Sequence, residues 1–287
     1  MTARLLLALA LLLNMAGPVH AQWTNQPSHL GVISDWPFSS LAGNGWADNG
    51  GNHLIASDGT APQSPANVYQ QVFYTGMSAG ISPAGDSFTF PTPASEAYVG
   101  FWWKPSAGFE NHPVLTKILF LSDTNGNPIF FYMAGAGPSV QIGMQYQNSD
   151  IDNSHISGFP GIPGTFDIGG GQSVTLGQWA KLELYVKRST TTTSRDGIFR
   201  YWVNGVLARE FTNMNFRPYN FAYVPIVPIW GGTSGNKTRT DYFSYDHIRI
   251  ATNNCPAPCS GGGGGSSPPP PPPAPLPPNK PTNLRVQ

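Results

Sequence analysis

The chain has 287 residues, and its 15 Lys and Arg balance its 15 Asp and Glu, so the formal net charge is zero with histidine neutral. This balance excludes the broad basic surface that non-specific binding to nucleic acid or to anionic lipid requires. Charged residues make up only 10% of the chain, whereas glycine, proline and aromatic residues are abundant. Such a composition is typical of a secreted all-β domain.

The N-terminus has the pattern of a secretory signal peptide. Arg4 supplies a positive charge, residues 5–13 are apolar, and residues 19–21 form a small-residue cleavage pattern before Gln22. The apolar run is shorter than the ~20 residues that span a bilayer, and no later segment is long and apolar enough. We therefore expect residues 1–21 to be removed, leaving a secreted, extracellular chain without a membrane span.

After an irregular stretch over residues 23–58, short runs of alternating apolar and polar residues predict strands. The runs are 67–74, 97–104, 116–122, 128–133, 139–147 and 242–251. No convincing amphipathic helix pattern is present. Many short strands separated by turn residues indicate an all-β domain, either a sandwich or a jelly roll.

The clearest hairpin lies within residues 178–211. Apolar residues alternate along its first strand, which places Glu183 and Tyr185 on the opposite, polar face. Asn204 and Gly205 both tolerate a positive φ, as a type I′ hairpin turn requires. The hairpin therefore has one apolar face and one face that carries aromatic and charged side chains.

Five short segments in and after this hairpin carry a resemblance to a known superfamily. They are Gln178-Trp179, Glu-Leu-Tyr-Val-Lys at 183–187, Asp196-Gly197, Tyr-Trp-Val-Asn-Gly-Val at 201–206 and Asp-His-Ile-Arg-Ile at 246–250. The layout resembles the concanavalin A-like lectin/glucanase superfamily, and within it the chain is similar to secreted bacterial polysaccharide-lyase-like proteins. The resemblance covers most of residues 67–251. It implies two stacked antiparallel sheets, with a glycan bound on the concave one.

Several strands carry side chains suited to binding sugars, because sugar rings stack on aromatic faces while amides and charged groups bind hydroxyls. The candidates share strand faces by period-two spacing and are Trp102, Lys104, Gln141, Gln145, Glu183, Tyr185, Lys187, Arg200 and Trp202. We expect them to line one open groove that binds an extracellular polysaccharide. An alternative places either tryptophan in the core; of the adjacent pair Trp102 and Trp103, one should lie in the core and the other outside.

Glycoside hydrolysis is disfavoured because the superfamily's paired-carboxylate motif, Glu-x-Asp-x-x-Glu, is absent. Glu183 is better explained as an ion-paired structural residue. Jelly-roll alginate lyases carry Arg-x-Glu, Gln-Ile-His and Tyr-x-Lys-x-Gly-x-Tyr motifs. The chain has Gln-Ile-Gly at 141–143, so the histidine is missing, and the other two motifs are not found.

A lyase with a different constellation remains an alternative to simple glycan binding. His112 or His247 would act as the base, Tyr245 or Tyr185 as the acid, and Arg200 or Lys187 would bind the substrate carboxylate. Each histidine is more readily explained as a surface or loop residue than as a catalyst. A structural or adhesive surface module is a third reading, and the sequence does not indicate an oligomeric state.

No cofactor or metal centre is expected from the sequence. Residues 123–127 (Asp-Thr-Asn-Gly-Asn) are read as a hairpin turn because the distal acidic ligand of a calcium loop is missing. Asp150 and Asp152 offer ligands for a structural calcium ion in a long predicted loop.

The composition changes after residue 252. In an oxidising compartment, Cys255 and Cys259 form a small disulfide loop, or else they remain free or pair between molecules. A zinc site is not expected here, because it needs four ligands and no second cysteine pair is present. Residues 261–273 then run through five glycines and two serines to six prolines, a composition that predicts a disordered linker or tail. The predicted organisation is a signal peptide (1–21), a β-sandwich domain (22–252) and a tail (253–287).

Overall fold

The computed structural model describes residues 23–147, 153, 156, 161–162 and 165–256. The predicted signal peptide, Asp150, Asp152, Cys259 and the Gly/Pro-rich tail lie outside the described residues, so the interpretations made for them stay predictions. Cys255 is disulfide-bonded. Within the described ranges, no helix is long and apolar enough to cross a membrane.

The described residues form sixteen strands arranged in two eight-stranded sheets, with antiparallel pairing throughout the named ladders. The strands are β1 (Gly31–Trp36), β2 (Trp46–Gly51), β3 (His53–Ala56), β4 (Val68–Phe73), β5 (Ala84–Ala94), β6 (Glu96–Pro105), β7 (Thr116–Asp123), β8 (Pro128–Ala134), β9 (Ser139–Gln147), β10 (Gly161–Ile162), β11 (Thr165–Thr175), β12 (Ala180–Lys187), β13 (Gly197–Val203), β14 (Val206–Met214), β15 (Phe221–Ile226) and β16 (Asp241–Thr252). The predicted all-β sandwich is confirmed.

The two sheets have different strand orders. The first sheet runs β14-β13-β12-β6-β16-β4-β3, with β1 paired to β16, and the second runs β10-β11-β9-β8-β7-β15-β5-β2. The first sheet therefore contains strands from both ends of the domain. The stretch over residues 23–58, expected to be irregular, contains β1, β2 and β3. The expectation was wrong because these strands are held by ladders to β16, β5 and β4 and not by their own periodicity.

The core lies between the sheets and is built from alternate side chains of each strand. In β6 the inward residues are Val99, Phe101 and Trp103, all fully buried. Trp102, the neighbour of Trp103, points to the opposite side and is only half-buried. The expected split of this tryptophan pair is therefore confirmed, and removal of apolar surface from water stabilises the packed layer.

Two predicted turns are present. Asn204 and Gly205 have φ values of 52° and 79°, as the type I′ hairpin turn between β13 and β14 requires. The turn between β7 and β8 is organised by Asp123, whose Oδ1 accepts hydrogen bonds from the backbone N–H groups of Asn125 (2.8 Å) and Asn127 (3.0 Å). These local bonds agree with the hairpin turn inferred for residues 123–127.

Candidate functional site

The predicted sugar-binding residues do not converge on one surface. Gln141 and Gln145 lie on β9 of the second sheet, and the other seven candidates lie on β6, β12 and β13 of the first sheet. Both groups point away from the core, so they occupy opposite sides of the sandwich. We call the side formed by the first sheet the first outer face and the other the second outer face. The expectation of one shared groove is wrong because alternation assigns a residue to a face but not its strand to a sheet.

The first outer face is covered in part by the segment that precedes β1. Trp23 is only 9% exposed and lies against Gly100, where an added Cβ would come within 2.6 Å of the indole ring. Trp23 and Leu30 cluster with Tyr98 and Tyr185 of the sheet. The half-buried rings of Trp102 and Trp202 pack against this cluster. These tryptophans therefore belong to a secondary apolar core rather than to an open stacking platform.

Glu183 lies beneath this cover and is completely buried. Its carboxylate accepts hydrogen bonds from Tyr98 Oη (2.7 Å) and Asn25 Nδ2 (2.9 Å), and Lys181 Nζ lies 3.2 Å away. Burial and the adjacent Glu183 charge raise the pKa of Tyr98 well above its usual value, so its hydroxyl remains a donor. Glu183 is thus the ion-paired structural residue that the sequence favoured.

The remaining charged candidates on the first outer face also have internal partners. Tyr185 donates a hydrogen bond to Glu96 (2.8 Å) and lies near the Arg200 guanidinium, which pairs with Glu210. Burial, followed by the Glu96 hydrogen bond, raises the pKa of Tyr185.

Lys104 pairs with Asp58 and lies 5.0 Å from the Trp179 ring centroid. Lys187 stands opposite Glu96 in the β6–β12 ladder. Because Tyr185, Arg200 and Lys104 already have partners within the chain, the first outer face offers few free donors to a glycan.

The three catalytic candidates lie in three separate places. Tyr245 is fully buried between the sheets, donates its hydroxyl to the Ile118 carbonyl (2.7 Å), and has a pKa that burial raises well above the usual value. His112 is buried in the β6–β7 loop, where its Nδ1 accepts from the Val114 N–H and its Nε2 lies 3.1 Å from the Ser234 carbonyl. Both side chains are engaged by backbone groups, and Tyr245 lies in the core, so their positions do not support the catalytic roles expected for them.

His247 occupies a β-bulge in β16 with a φ of 57°. Its Nε2 pairs with Asp35, and its ring centroid lies 6.3 Å from that of Trp23. Arg249 pairs with the same carboxylate. The Asp35 carboxylate is thus shared by His247 and Arg249 on the first outer face, so His247 is positioned as a structural partner.

The second outer face has a row of side chains that crosses three strands. Lys117 of β7 stands opposite Tyr132 of β8, which stands opposite Gly143 of β9. Directly opposed residues in an antiparallel pair share a face, with Cβ atoms about 5 Å apart. Gln141 and Gln145 flank Gly143 on the same side of β9. The row therefore places an amine, a phenol and two amides together on one face.

Tyr132 fills the space above Gly143. A Cβ at position 143 would come within 2.4 Å of the Tyr132 hydroxyl oxygen, so any side chain there would collide with the ring. Tyr132 is only 6% exposed and clusters with Phe120 and Phe130. The alginate-lyase motif has histidine at the position that corresponds to Gly143. Here the position is a glycine, and Tyr132 from the adjacent strand occupies the space that a side chain would need.

Lys117 is a half-buried cation with no acidic partner among the described residues. Its Nζ lies 4.7 Å from the Phe130 ring centroid and 5.8 Å from that of Phe120. Burial lowers the pKa of Lys117, because desolvation disfavours the ammonium form. A lysine with a lowered pKa can act as a base, and one without a counter-ion can bind an anion.

Sequence reasoning missed Lys117 and Tyr132. A single lysine in the otherwise apolar run Thr-Lys-Ile-Leu-Phe-Leu (116–121) was one available signal, and the glycine at the end of Gln-Ile-Gly (141–143) was another. The pairing that joins these signals across β7, β8 and β9 became evident only from the ladders. A separate set of metal-ligand side chains, Asp48, His53 and Asp86, lies at the edge of the sandwich.

Comparison with known proteins bears on the architecture. No protein-family model and no curated protein matches the chain. Similar solved structures include alginate lyase vAL-1 from a Chlorella virus, with a TM-score of 0.57, 12% identity, and coverage of 77% of this chain and 99% of that one. The endo-β-1,4-glucuronan lyase of the fungus Trichoderma reesei has a TM-score of 0.52 and 16% identity, covering 73% and 92%. Alginate lyase Aly36B has a TM-score of 0.51 and 13% identity, covering 69% and 86%.

The fold is a concanavalin A-like jelly roll. At these identities the likeness establishes the architecture alone, and that architecture agrees with the fold that the sequence resemblance implied. The named neighbours are lyases of alginate or glucuronan, both uronate polymers. The fold by itself does not determine the chemistry, which depends on the side chains of this chain.

Proposed function

We propose that the protein is a polysaccharide lyase that cleaves a uronate-containing glycan by β-elimination on its second outer face. The observation that carries the proposal is Lys117, a half-buried lysine with a burial-lowered pKa, opposite Tyr132 on the adjacent strand. An amine and a phenol are the base and the acid that such an elimination needs. The similarity in fold to alginate and glucuronan lyases supports this choice over simple glycan binding.

The reaction assigns one task to each side chain. The neutral amine of Lys117 takes the proton from C5 of the uronate, and the released electron pair forms the C4–C5 double bond. The bond between C4 and the glycosidic oxygen breaks, and the Tyr132 hydroxyl gives its proton to that oxygen. The amide N–H groups of Gln141 and Gln145 donate hydrogen bonds to the substrate carboxylate, which stabilises the charge that develops on it.

The aromatic residues around Lys117 suit this cycle at both stages. Before the proton transfer, Phe120 and Phe130 restrict water around the amine, which favours its neutral form. After the transfer, the ammonium group lies over the same rings, where a cation is attracted to the π-electrons.

The test is to incubate the purified chain with polymannuronate, polyguluronate and glucuronan, following the ultraviolet absorbance of the unsaturated product. We expect turnover of at least one polymer, and losses of about 100-fold or more for Lys117→Met and Tyr132→Phe, because general acid–base groups contribute that much. Lys117→Arg should be similarly inactive, since arginine keeps the charge but does not become a neutral base. Arg195→Met is the control, because it removes an exposed positive charge outside the proposed site.

Recognition of a polysaccharide without cleavage is the second candidate. The row of amides on β9 favours it, because Gln141 is exposed and Gln147 Nε2 donates to Gln145 Oε1 (3.3 Å) in an arrangement able to contact sugar hydroxyls. Binding that is weakened by Gln141→Ala, with no unsaturated product from any polymer, would select this candidate over the lyase. For either function, an extracellular location is inferred from the signal peptide predicted for residues 1–21.

A further inference from the structure

A polar cluster lies at the edge of the sandwich, where the two sheets are joined by consecutive strands. Asp48 of β2 stands opposite Asp86 of β5 in the second sheet. His53 begins β3 of the first sheet, only two residues after the end of β2. One ligand atom from each of the three side chains can be chosen so that all lie within 4.8 Å of one another. Two carboxylates and an imidazole from both sheets therefore meet at this edge.

Asp86 is unusual because its carboxylate is buried without a hydrogen-bond donor from the described residues to stabilise its charge. The residue has 0% exposure, and neither of its carboxylate oxygens has a hydrogen-bond partner within the described part of the chain. The Tyr69 hydroxyl and the Asn49 backbone N–H face this carboxylate, but neither completes a hydrogen bond of normal geometry. Burial of a carboxylate without partners is costly, so either a proton or a cation must neutralise it. Burial accordingly raises the pKa of Asp86.

His53 has the geometry of a ligand in the same cluster. Its Nε2 lies 3.2 Å from Asp48 Oδ1, close to the separation of about 3.3 Å between two ligand atoms that bind a tetrahedral ion at about 2.0 Å. Its Nδ1 is buried and has no partner within the described ranges. Gln71, which stands opposite His53 in the β3–β4 ladder, has an equally unpartnered and buried Oε1. No hydrogen bond joins these two atoms here, although metal-binding histidines commonly donate their second N–H to an acceptor of this kind.

We propose that Asp48, His53 and Asp86 bind a divalent transition-metal ion of the zinc type, which joins the edges of the two sheets. The ligand set decides the class of ion. Zinc accepts imidazole and carboxylate ligands in four-coordinate sites, with water completing the set. Calcium prefers six to eight oxygen ligands, so the imidazole argues against it. Exposed Asp48 provides the side from which the ion enters.

The site is structural and separate from the proposed lyase site. Asp86 alternates along β5 with Phe88, a core residue, so its side chain points inward. Lys117 and Tyr132 point to the second outer face instead. The ion would therefore stabilise the closed edge of the sandwich without contacting the glycan, and its test does not depend on activity.

The experiment uses the full chain after treatment with a chelator and dialysis. Zinc, manganese and calcium are then added separately, and bound metal is measured by mass spectrometry together with the Tm. We expect about one zinc per chain and, at a hundredfold excess over Kd, a Tm rise of about 5–10 °C. Calcium should give neither effect. Cobalt should produce visible absorption that disappears in His53→Gln.

Asp86→Asn and His53→Gln should abolish stoichiometric zinc binding and the Tm rise. Asp48→Asn, at an exposed residue, provides a variant that keeps the interior intact and should weaken binding at least tenfold. His29→Gln is the matched control, because His29 pairs with Glu96 on the first outer face and should leave zinc binding unchanged. Absence of a zinc response in the wild type, with a more stable Asp86→Asn variant, would show that Asp86 is simply a buried neutral acid and would overturn the proposal.

Discussion

Tyr132 and Gly143 form a complementary pair across β8 and β9, because the tyrosine ring occupies the space that any side chain at position 143 would need. The distance from that virtual Cβ to the tyrosine hydroxyl is only 2.4 Å. Glycine here is required by contact rather than by backbone conformation. The pair explains how the chain departs from the alginate-lyase motif and still presents a proton donor on the same face.

The pair predicts strong coupling between two substitutions. Gly143→Ala should lower the free energy of unfolding by about 1–3 kcal/mol, because the Tyr132 ring must move from a packed position. In a Tyr132→Ala background, the same change should cost little. Urea unfolding of the four proteins forms a double-mutant cycle, and additive effects would show that the ring does not lie over position 143.

Burial of Lys117 predicts the pH dependence of the proposed elimination. The reaction needs the neutral amine, so kcat/KM should rise with pH around a midpoint below that of an ordinary lysine, because desolvation lowers the pKa. Phe120→Ser should admit water and move this midpoint upward. Tyr242→Ser, at an exposed aromatic residue of the first sheet, should leave it in place. An unchanged pH midpoint of kcat/KM in Phe120→Ser would exclude Lys117 as the titrating base.

The buried pair of Lys181 and Glu183 predicts a loss of stability without a loss of activity. Lys181→Met leaves the Glu183 charge buried without its cation and should cost about 3–5 kcal/mol. The double variant Lys181→Met/Glu183→Gln should recover part of that loss because no charge remains. Chemical unfolding measures both effects. Loss of turnover in a folded double variant would indicate instead that the glycan binds on the first outer face.

The Lys104–Asp58 pair predicts a specific pH response. Burial acts to raise the pKa of Asp58, but hydrogen bonds from Lys104 and Thr60 outweigh it and hold that pKa at about 2. A lowered carboxylate pKa stabilises the fold above the unfolded-state value, and this contribution is lost as pH falls toward about 2. Lys104→Met should raise the Asp58 pKa, observed by NMR titration. The free energy of unfolding of the Lys104→Met variant should differ from that of the wild type near neutral pH. The two values should converge in strong acid.

Tyr245 and Tyr132 are predicted to have different roles, the first structural and the second catalytic. Tyr245→Phe removes the hydrogen bond to the Ile118 carbonyl and leaves that oxygen unpaired in the core, so stability should fall by about 1–3 kcal/mol. Turnover by the remaining folded protein should stay unchanged, unlike that of Tyr132→Phe. A specific loss of kcat at equal folded fraction would instead support the role that the sequence suggested for Tyr245.

Much of the fold was predictable because alternation is a local property. The runs over 116–122, 128–133 and 139–147 coincide closely with β7, β8 and β9, and the Asn204-Gly205 turn follows from backbone sterics. The partnership of strands is not local. Glu183 and Gln145 both lie on polar strand faces, but only the ladders show that those faces look in opposite directions.

The candidate site was predictable only in part for the same reason. Gln141 and Gln145 were identified because amides recur at period two, but Lys117 and Tyr132 gain significance from neighbours on other strands. The segment that covers the first outer face was equally unpredictable from the sequence. Trp23 and Asn25 lie more than 150 residues from Glu183 in the chain, and no sequence pattern joins them.

β16 lies between β6 and β4, so the middle of the first sheet is supplied by residues 241–252. Until that segment has left the ribosome, the nascent chain holds two unconnected sheet fragments whose open edges invite intermolecular pairing. Pairings of such large sequence separation also form slowly. The domain should therefore close only after its synthesis is complete, and a chain shortened before residue 241 should aggregate or remain bound to chaperones.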